Sequence, residues 1–147
     1  MLAFDQIIHT QVSIAASPSK VWSILTDFSA MSSWNPFITT ISGSASPGSS
    51  LSVIIAPPGR SPMHLSPTVL VAKPKRELRW RGTVLGRGIF AGEHYFVLEP
   101  TPEGGTSLTH GERFSGILTP FIMRGRLLAA TVDGFIAMNE ALKRRCE

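Results

Sequence analysis

Two neighbouring stretches decide the fold: residues 17–28, SPSKVWSILTDF, and residues 34–38, WNPFI. Ser17 can cap a helix with its hydroxyl, and Pro18 suits the first helical position, where its missing N–H is not needed. The apolar side chains that follow recur at helical spacing on one face, at Val21, Ile24, Leu25 and Phe28. The first stretch therefore predicts a short amphipathic helix of about three turns.

The second stretch predicts the joint between this helix and a sheet. Residues 29–33 indicate a further short helical turn. Pro36 disfavours helix at Asn35 and turns the chain extended, so that Trp34 is delivered to the start of a strand. We therefore expect two short helices that lead into a sheet.

The composition predicts a folded chain, with one domain over residues 1–147. Of these residues 43% are hydrophobic and only 16% are charged, which favours a packed core with additional apolar lining over disorder. A chain of this length can bury a core of its own.

Charge and cysteine usage exclude several classes of protein. Fourteen Lys and Arg residues against ten Asp and Glu residues give a net charge of +4, but the positive residues are scattered, so no nucleic-acid partner is predicted. The single cysteine, Cys146, excludes an internal disulfide and a multi-cysteine metal site. The N-terminal residues lack a secretory-signal pattern, and no apolar run is long enough to span a membrane. A cytoplasmic protein without stable membrane insertion is expected.

Alternating hydrophobicity predicts a series of short strands followed by one long helix. The predicted strands cover residues 8–14, 38–45, 51–56, 69–73, 77–84, 93–99 and 106–114, with a short extension at residues 63–65. The predicted helix covers residues 120–145 and is weakened by Gly125 and Gly134. The fold class is thus α+β, with a curved antiparallel sheet wrapped around a long C-terminal helix and a hollow between them.

Three stretches resemble the helix-grip superfamily, which includes the START-like, birch-pollen-allergen-like and polyketide cyclase/dehydrase-like (SRPBCC) proteins. They are residues 17–28, residues 34–37, and the paired segments 92–100 and 109–116. The resemblance covers nearly the whole chain and favours the polyketide cyclase-like branch. Members of the superfamily bind lipids, sterols, hormones or polyketides in a cavity, and some cyclise, dehydrate or hydrolyse what they bind. The resemblance implies a pocket but no catalytic residue, because the members share no common catalytic set.

Strand alternation places three polar side chains in the predicted interior. His94 shares its strand face with Phe96, and His110 and Glu112 share theirs with Phe114. Because these faces are the apolar ones, we expect them to face the long helix. His110 and Glu112 are the candidate acid/base pair, and His94 is a candidate for orienting a substrate.

Two interpretations of this polar group remain open. A His–Glu pair could shuttle a proton to an enol or carbonyl of a bound ring system. Alternatively, the three side chains satisfy one another, or ordered water, as a buried polar network that shapes the pocket. Two imidazoles and one carboxylate could hold a metal only if both rings converged on it, so no metal site is predicted.

The predicted pocket lining combines aromatic and aliphatic side chains with polar ones. The candidate ligand contacts are Trp34, Asn35, Trp80, Phe90, His94, Phe96, Phe114, Phe121, Leu128 and Phe135. The aromatic residues could stack on a flat ligand, or they could belong to the core. Asn35 could hydrogen-bond a ligand carbonyl, or it could cap the preceding turn.

The first function hypothesis is binding of a hydrophobic small molecule, such as a polyketide, a sterol or another lipid-like metabolite, in an internal pocket. The alternative is an enzyme that cyclises, dehydrates or isomerises such a ligand, with His110 and Glu112 as the acid/base pair. No cofactor is predicted, and a homodimer is left open. A module that binds partners through the sheet surface is disfavoured, because no exposed apolar strip is marked in the sequence.

Overall fold

The structure, a computed structural model, describes residues 5–147. It has the predicted α+β pattern, in which one strand and two short helices precede seven consecutive strands, a short helix and a long C-terminal helix. The strands are β1 (Gln6–Ile14), β2 (Ile38–Ser42), β3 (Ser52–Ile55), β4 (Met63–Leu65), β5 (Thr68–Lys73), β6 (Glu77–Val84), β7 (Phe90–Pro100) and β8 (Thr106–Ser115). The helices are α1 (Pro18–Thr26), a 3₁₀ helix (Phe28–Ser33), α2 (Thr119–Ile122) and α3 (Gly125–Cys146).

The first helix begins as the sequence predicts. Ser17 Oγ accepts a hydrogen bond from Lys20 N at 3.2 Å, and Pro18 occupies the first turn. Val21 and Leu25 are buried on the inner face of α1. The 3₁₀ helix follows after one residue, so the prediction of two short helices is confirmed.

The sheet is antiparallel throughout and is built in two linked parts. One part has the strand order β1-β8-β7-β6-β5, and the other has the order β2-β3-β4. Ser50 bridges to Thr68, and Leu51 N donates to the carbonyl of Pro67 at 2.8 Å, so the two parts are joined where β5 begins. Together they form the curved sheet that was predicted.

The long helix begins later than predicted. Met123 and Arg124 leave the helical conformation with ψ of 75° and 169°, and Gly125 opens α3 with φ of +56°. Glycine adopts this left-handed conformation readily because it has no Cβ. The prediction of one continuous helix from residue 120 is therefore wrong, since the chain forms a short turn, a break and then α3.

Helix α3 covers the interior face of the sheet at close range. Phe135, Met138 and Leu142 are buried along it. Gly134 has no side chain, and a Cβ there would overlap the ring of Phe37, so this ring packs directly against the helix backbone. Among the described helices, none is both long and apolar enough to cross a membrane.

Candidate functional site

Polar side chains lie side by side on the interior face of the central strands. Strand register pairs His94 with Glu112 across β7 and β8, Trp80 with His94 across β6 and β7, and Thr10 with His110 across β1 and β8. His94 is 5% exposed and His110 is 0% exposed. The prediction that these side chains face the interior is confirmed.

Four of the polar side chains on these strands and one on helix α3 form a continuous line of polar contacts. His94 Nε2 lies 2.7 Å from His110 Nε2, and His110 Nδ1 lies 2.7 Å from Asn139 Oδ1 on α3. Asn139 Nδ2 donates to Thr10 Oγ1 at 2.8 Å, and Thr10 Oγ1 donates to the carbonyl of His110 at 2.6 Å. At the other end, His94 Nδ1 lies 3.3 Å from Glu112 Oε1. We call these five residues, Thr10, Asn139, His110, His94 and Glu112, the polar line.

The hydrogen-bond partners determine which ring nitrogen carries a proton. The Thr10 hydroxyl donates to the His110 carbonyl, so it must accept from the Asn139 amide, which leaves Asn139 Oδ1 to accept from His110 Nδ1–H. A neutral His110 then has its lone pair on Nε2 and accepts from His94 Nε2–H. The His94 nitrogen that faces Glu112 is Nδ1. It consequently carries a lone pair when His94 is neutral and a proton when His94 is protonated.

His110 is held in its neutral form. Complete burial removes water from the ring and lowers its pKa well below 6.5, and positive charge on the neighbouring His94 lowers this pKa further. The hydrogen bond with Asn139 opposes these two effects and raises the pKa. His110 therefore serves as a neutral acceptor for His94.

Glu112 is the end of the polar line that reaches the surface. Its side chain is 16% exposed, against 6% for that of His94. Its Oε2 lies beside Gly92, where a Cβ would overlap the carboxylate. Of the residues that the structure describes, none donates a hydrogen bond to this oxygen. At the Thr10 end of the polar line all hydrogen bonds are made by protein groups, whereas at the other end Glu112 Oε2 has no protein donor among the described residues.

Aromatic rings pack around both histidines. The His110 ring centroid lies 4.2 Å from that of Phe135 and 4.5 Å from that of Phe96, and Trp80 stacks on His94 at 5.1 Å. Phe96 and Phe135 have no exposed surface. Close packing of this kind is favoured over an empty cavity. For Trp80, Phe96 and Phe135, the structure thus shows the core arrangement and not the lining of an open pocket.

Two surface depressions lie away from this interior. One of about 360 Å³ is lined by the end of β1, the turn between β7 and β8, and Lys143. The other, of about 300 Å³, lies between the start of α1 and the turn between β5 and β6. Neither is lined by a predicted ligand contact. The centre of the predicted pocket is filled by side chains instead.

The remaining predicted ligand contacts differ in how far they are buried. Phe90 and Phe114 stack with centroids 5.9 Å apart, and Leu128 is half-buried on α3. Trp34 is half-buried as well, and its Nε1–H is buried without a hydrogen-bond partner in the described chain. Phe121 is 69% exposed, so its prediction as a pocket residue is wrong. The break after α2 takes Phe121 out of the helical phase of α3.

Asn35 is buried, and its side chain makes hydrogen bonds within the turn that precedes β2. Its Oδ1 accepts hydrogen bonds from Phe37 N and Ile38 N, both at 2.9 Å, and its Nδ2 donates to Met31 Sδ at 3.2 Å. Of the two roles considered for Asn35, the structure shows the local one, which holds the turn that leads into the strand.

Sequence reasoning missed Asn139 and Thr10. Asn139 lies four residues after Phe135 and three before Leu142, on the buried stripe of α3. Thr10 alternates with exposed His9 and faces the interior. A polar residue on an otherwise apolar stripe needs a hydrogen-bond partner inside the protein, and this pattern could have identified both residues.

Within residues 5–147, no group of three or more His, Cys, Asp and Glu side chains is arranged to hold a metal ion.

Comparisons with known proteins give one family and one fold. A family model described as "Polyketide cyclase / dehydrase and lipid transport" matches residues 5–147. No curated protein gives a significant match. Three solved structures show the helix-grip fold, and their identities are too low to show more.

The first is a START superfamily protein from Mycobacterium smegmatis, 20% identical with a TM-score of 0.74, the match covering 95% of this chain and 96% of that one. The second is the Zhui aromatase/cyclase from a Streptomyces species, 16% identical with a TM-score of 0.77 and coverage of 97% and 93%. The third is a truncated norcoclaurine synthase from Thalictrum flavum, 13% identical with a TM-score of 0.71 and coverage of 96% and 92%.

Proposed function

Because the chain belongs to the polyketide cyclase / dehydrase and lipid transport family, we propose that it binds a hydrophobic small molecule, such as a polyketide, a sterol or another lipid-like metabolite. The ligand binds at the end of the interior where Glu112 lies. The observation that carries this proposal is the open end of the polar line. Protein groups complete the line at Thr10 and Asn139, whereas the Glu112 side chain is 16% exposed and its Oε2 accepts no hydrogen bond from a described residue.

The surroundings of this end support a hydrophobic ligand. Phe90 lies two residues before Gly92 on β7, Phe114 lies two residues after Glu112 on β8 and opposite Gly92, and the two rings stack. Leu128 is half-buried on α3. Elsewhere in the interior, Trp34 holds a buried N–H donor that has no partner among the described residues. Such a group costs about 1–3 kcal/mol, which an oxygen of a bound ligand would recover. Since the centre of the interior is filled, ligand binding requires side chains near Glu112, such as Phe90 and Phe114, to move.

A second candidate function is proton-transfer catalysis on the bound ligand, and the protonation order of the polar line favours it. An ionised Glu112 can take a proton from the carbon beside a ligand carbonyl, which leaves the electron pair in an enolate. Returning that proton at another carbon isomerises the ligand, and delivering it to a departing hydroxyl dehydrates the ligand with release of water. Neutral His94 can hold the proton on Nδ1 between the two steps, and such acid/base help is typically worth about 10²–10⁴-fold.

One pair of variants separates these functions. Wild type, Glu112→Gln and the matched control Glu93→Gln, which makes the same change on the outer face of β7, are each incubated with a hydrophobic metabolite extract. Bound and free compounds are then identified by mass spectrometry. We expect wild type and Glu93→Gln to retain the same compound and Glu112→Gln to retain it at least about tenfold more weakly, as expected for loss of one charge-assisted hydrogen bond.

Three outcomes are informative. Conversion of a compound by wild type and Glu93→Gln, but not by Glu112→Gln, would establish the enzyme. Retention of an unchanged compound would establish a carrier or sensor. If a folded wild type retains nothing, the proposal is wrong and the polar line serves the core alone.

A further inference from the structure

Two connecting segments at one end of the sheet, the turn between β6 and β7 and the segment from β8 into α3 that contains α2, expose apolar side chains together with arginines. β6 ends at Val84, β7 begins at Phe90, and β8 ends at Ser115. The turn 85–89 and the segment 116–126 therefore leave the sheet at the same end of these strands. Ile117 N donates to the carbonyl of Gly88 at 3.1 Å, and Leu118 N donates to that of Ile89 at 3.0 Å. These hydrogen bonds hold the two segments side by side.

The exposed apolar side chains of these segments are large. Leu85 is 70% exposed, Phe121 is 69% exposed and Ile117 is 57% exposed. We call them, with the exposed Arg87, Arg124 and Arg126, the loop patch. Burying these side chains in an apolar phase is favourable, so their joint exposure indicates a contact surface. The sequence alone marked no such surface, because its members are separated by more than thirty positions, from Leu85 to Phe121.

The charge of the loop patch is of one sign. No Asp or Glu occurs in residues 78–92 or 113–132. Among the described residues, none of the three arginines of the loop patch takes part in a salt bridge. Uncompensated arginines beside exposed apolar side chains match a surface that is anionic outside and apolar beneath.

We propose that the loop patch docks the protein on the surface of a membrane that contains anionic phospholipids. Leu85, Ile117 and Phe121 enter the boundary between headgroups and acyl chains, and Arg87, Arg124 and Arg126 contact the headgroup phosphates. A membrane fits better than a protein partner, because the three apolar side chains belong to a turn, a loop and the short helix α2, whereas a stable protein interface needs a broad complementary face. This docking is separate from ligand binding at Glu112 and is tested without a ligand.

Vesicle co-sedimentation of the full chain tests this proposal. The probes are vesicles of pure phosphatidylcholine and vesicles of equal parts phosphatidylcholine and phosphatidylglycerol. Wild type should bind the anionic vesicles, bind pure phosphatidylcholine much more weakly, and be released as salt is raised. The triple variant Arg87→Gln/Arg124→Gln/Arg126→Gln should lose about fivefold in affinity per arginine, and Leu85→Ser/Phe121→Ser about tenfold per side chain.

Matched controls separate the loop patch from net charge and general hydrophobicity. Arg60→Gln/Arg144→Gln/Arg145→Gln removes the same charge from exposed positions elsewhere, and Leu70→Ser/Ile136→Ser removes two exposed apolar side chains outside the loop patch. Both controls should bind like wild type. Equal losses in a control and its partner variant would overturn the proposal. So would failure of folded wild type to bind anionic vesicles, which would leave an acidic protein as the partner of the same chemistry.

Discussion

His110 on β8 and Asn139 on α3 are joined by a 2.7 Å hydrogen bond between Nδ1 and Oδ1, across the interior that separates sheet from helix. Both residues are almost completely buried. This contact orders the protons of the polar line, because it places a proton on His110 Nδ1 and leaves Nε2 free to accept from His94. Asn139 is therefore a positioning residue for the groups that face Glu112.

Replacing Asn139 with Leu should destabilise the protein by about 1–3 kcal/mol, because the buried His110 Nδ1–H would lose its acceptor. Urea unfolding measures this change. The neighbouring Glu140 is exposed on the same helix, and Glu140→Leu should stay within about 0.5 kcal/mol of wild type. Equal stability of Asn139→Leu and wild type would show that the hydrogen bond makes no net contribution.

Stability should fall as the pH drops below 6.5. The pKa of His110 is lowered in the folded state. Below about pH 6.5 the unfolded chain therefore binds a proton at His110 that the folded chain does not bind. The stability due to neutral His110 is complete above the unfolded pKa of about 6.5 and is lost below it, with a slope of at most about 1.4 kcal/mol per pH unit. Urea unfolding between neutral and mildly acidic pH should show a shallower slope in His110→Gln. His9→Gln, which changes an exposed histidine, should keep the slope of wild type.

Gly92 should be intolerant of a side chain, whereas its cross-strand partner Gly82 should accept one. A Cβ at position 92 would overlap the Glu112 carboxylate, while a Cβ at position 82 has its nearest neighbour, in Pro67, at 3.6 Å. Gly92→Ala should cost about 1–3 kcal/mol and weaken ligand retention, and Gly82→Ala should be neutral or stabilising. Adding Glu112→Ala to Gly92→Ala should restore stability, and a strictly additive double variant would refute the proposed overlap.

Gly134→Ala should destabilise the protein although alanine favours helix. Helix propensity alone predicts a gain of about 1 kcal/mol. The added Cβ would overlap the Phe37 ring, which is tilted against Phe135 at 5.3 Å, and such overpacking typically costs about 1–3 kcal/mol. Thermal unfolding of Gly134→Ala, Phe37→Leu and the double variant gives the coupling between the two positions. A higher melting temperature for Gly134→Ala alone would mean that Phe37 moves aside freely.

Much of the fold could be predicted because its signals are local. The Ser17 cap and the strand alternation act over a few residues, and they correctly placed α1 and the inward face of His94 and His110. The start of the long helix was harder to place. The break before Gly125 depends on two residues of unremarkable type, and the misplaced helix start carried Phe121 into the predicted pocket.

The candidate site could be predicted only in part. Alternation brought His94, His110 and Glu112 to one face, but it could not tell that the two histidines contact each other directly while only His94 contacts Glu112. That arrangement depends on side-chain packing across β7 and β8. Whether the aromatic residues line a cavity or fill it also depends on packing, and the structure shows Phe96 and Phe135 packed on His110.

By itself, the sequence determined the α+β class, the strand faces and the shared inward face of His94, His110 and Glu112, because caps and hydrophobic periods act between near neighbours. Tertiary structure alone decided that His110 meets Asn139, that the polar line ends at Glu112 and that the loop patch forms. These contacts join residues that are far apart in sequence, with 29 positions between His110 and Asn139 and 18 between His94 and Glu112. Their partners are chosen by the register of the strands and the seating of α3 on the sheet, which no local pattern encodes.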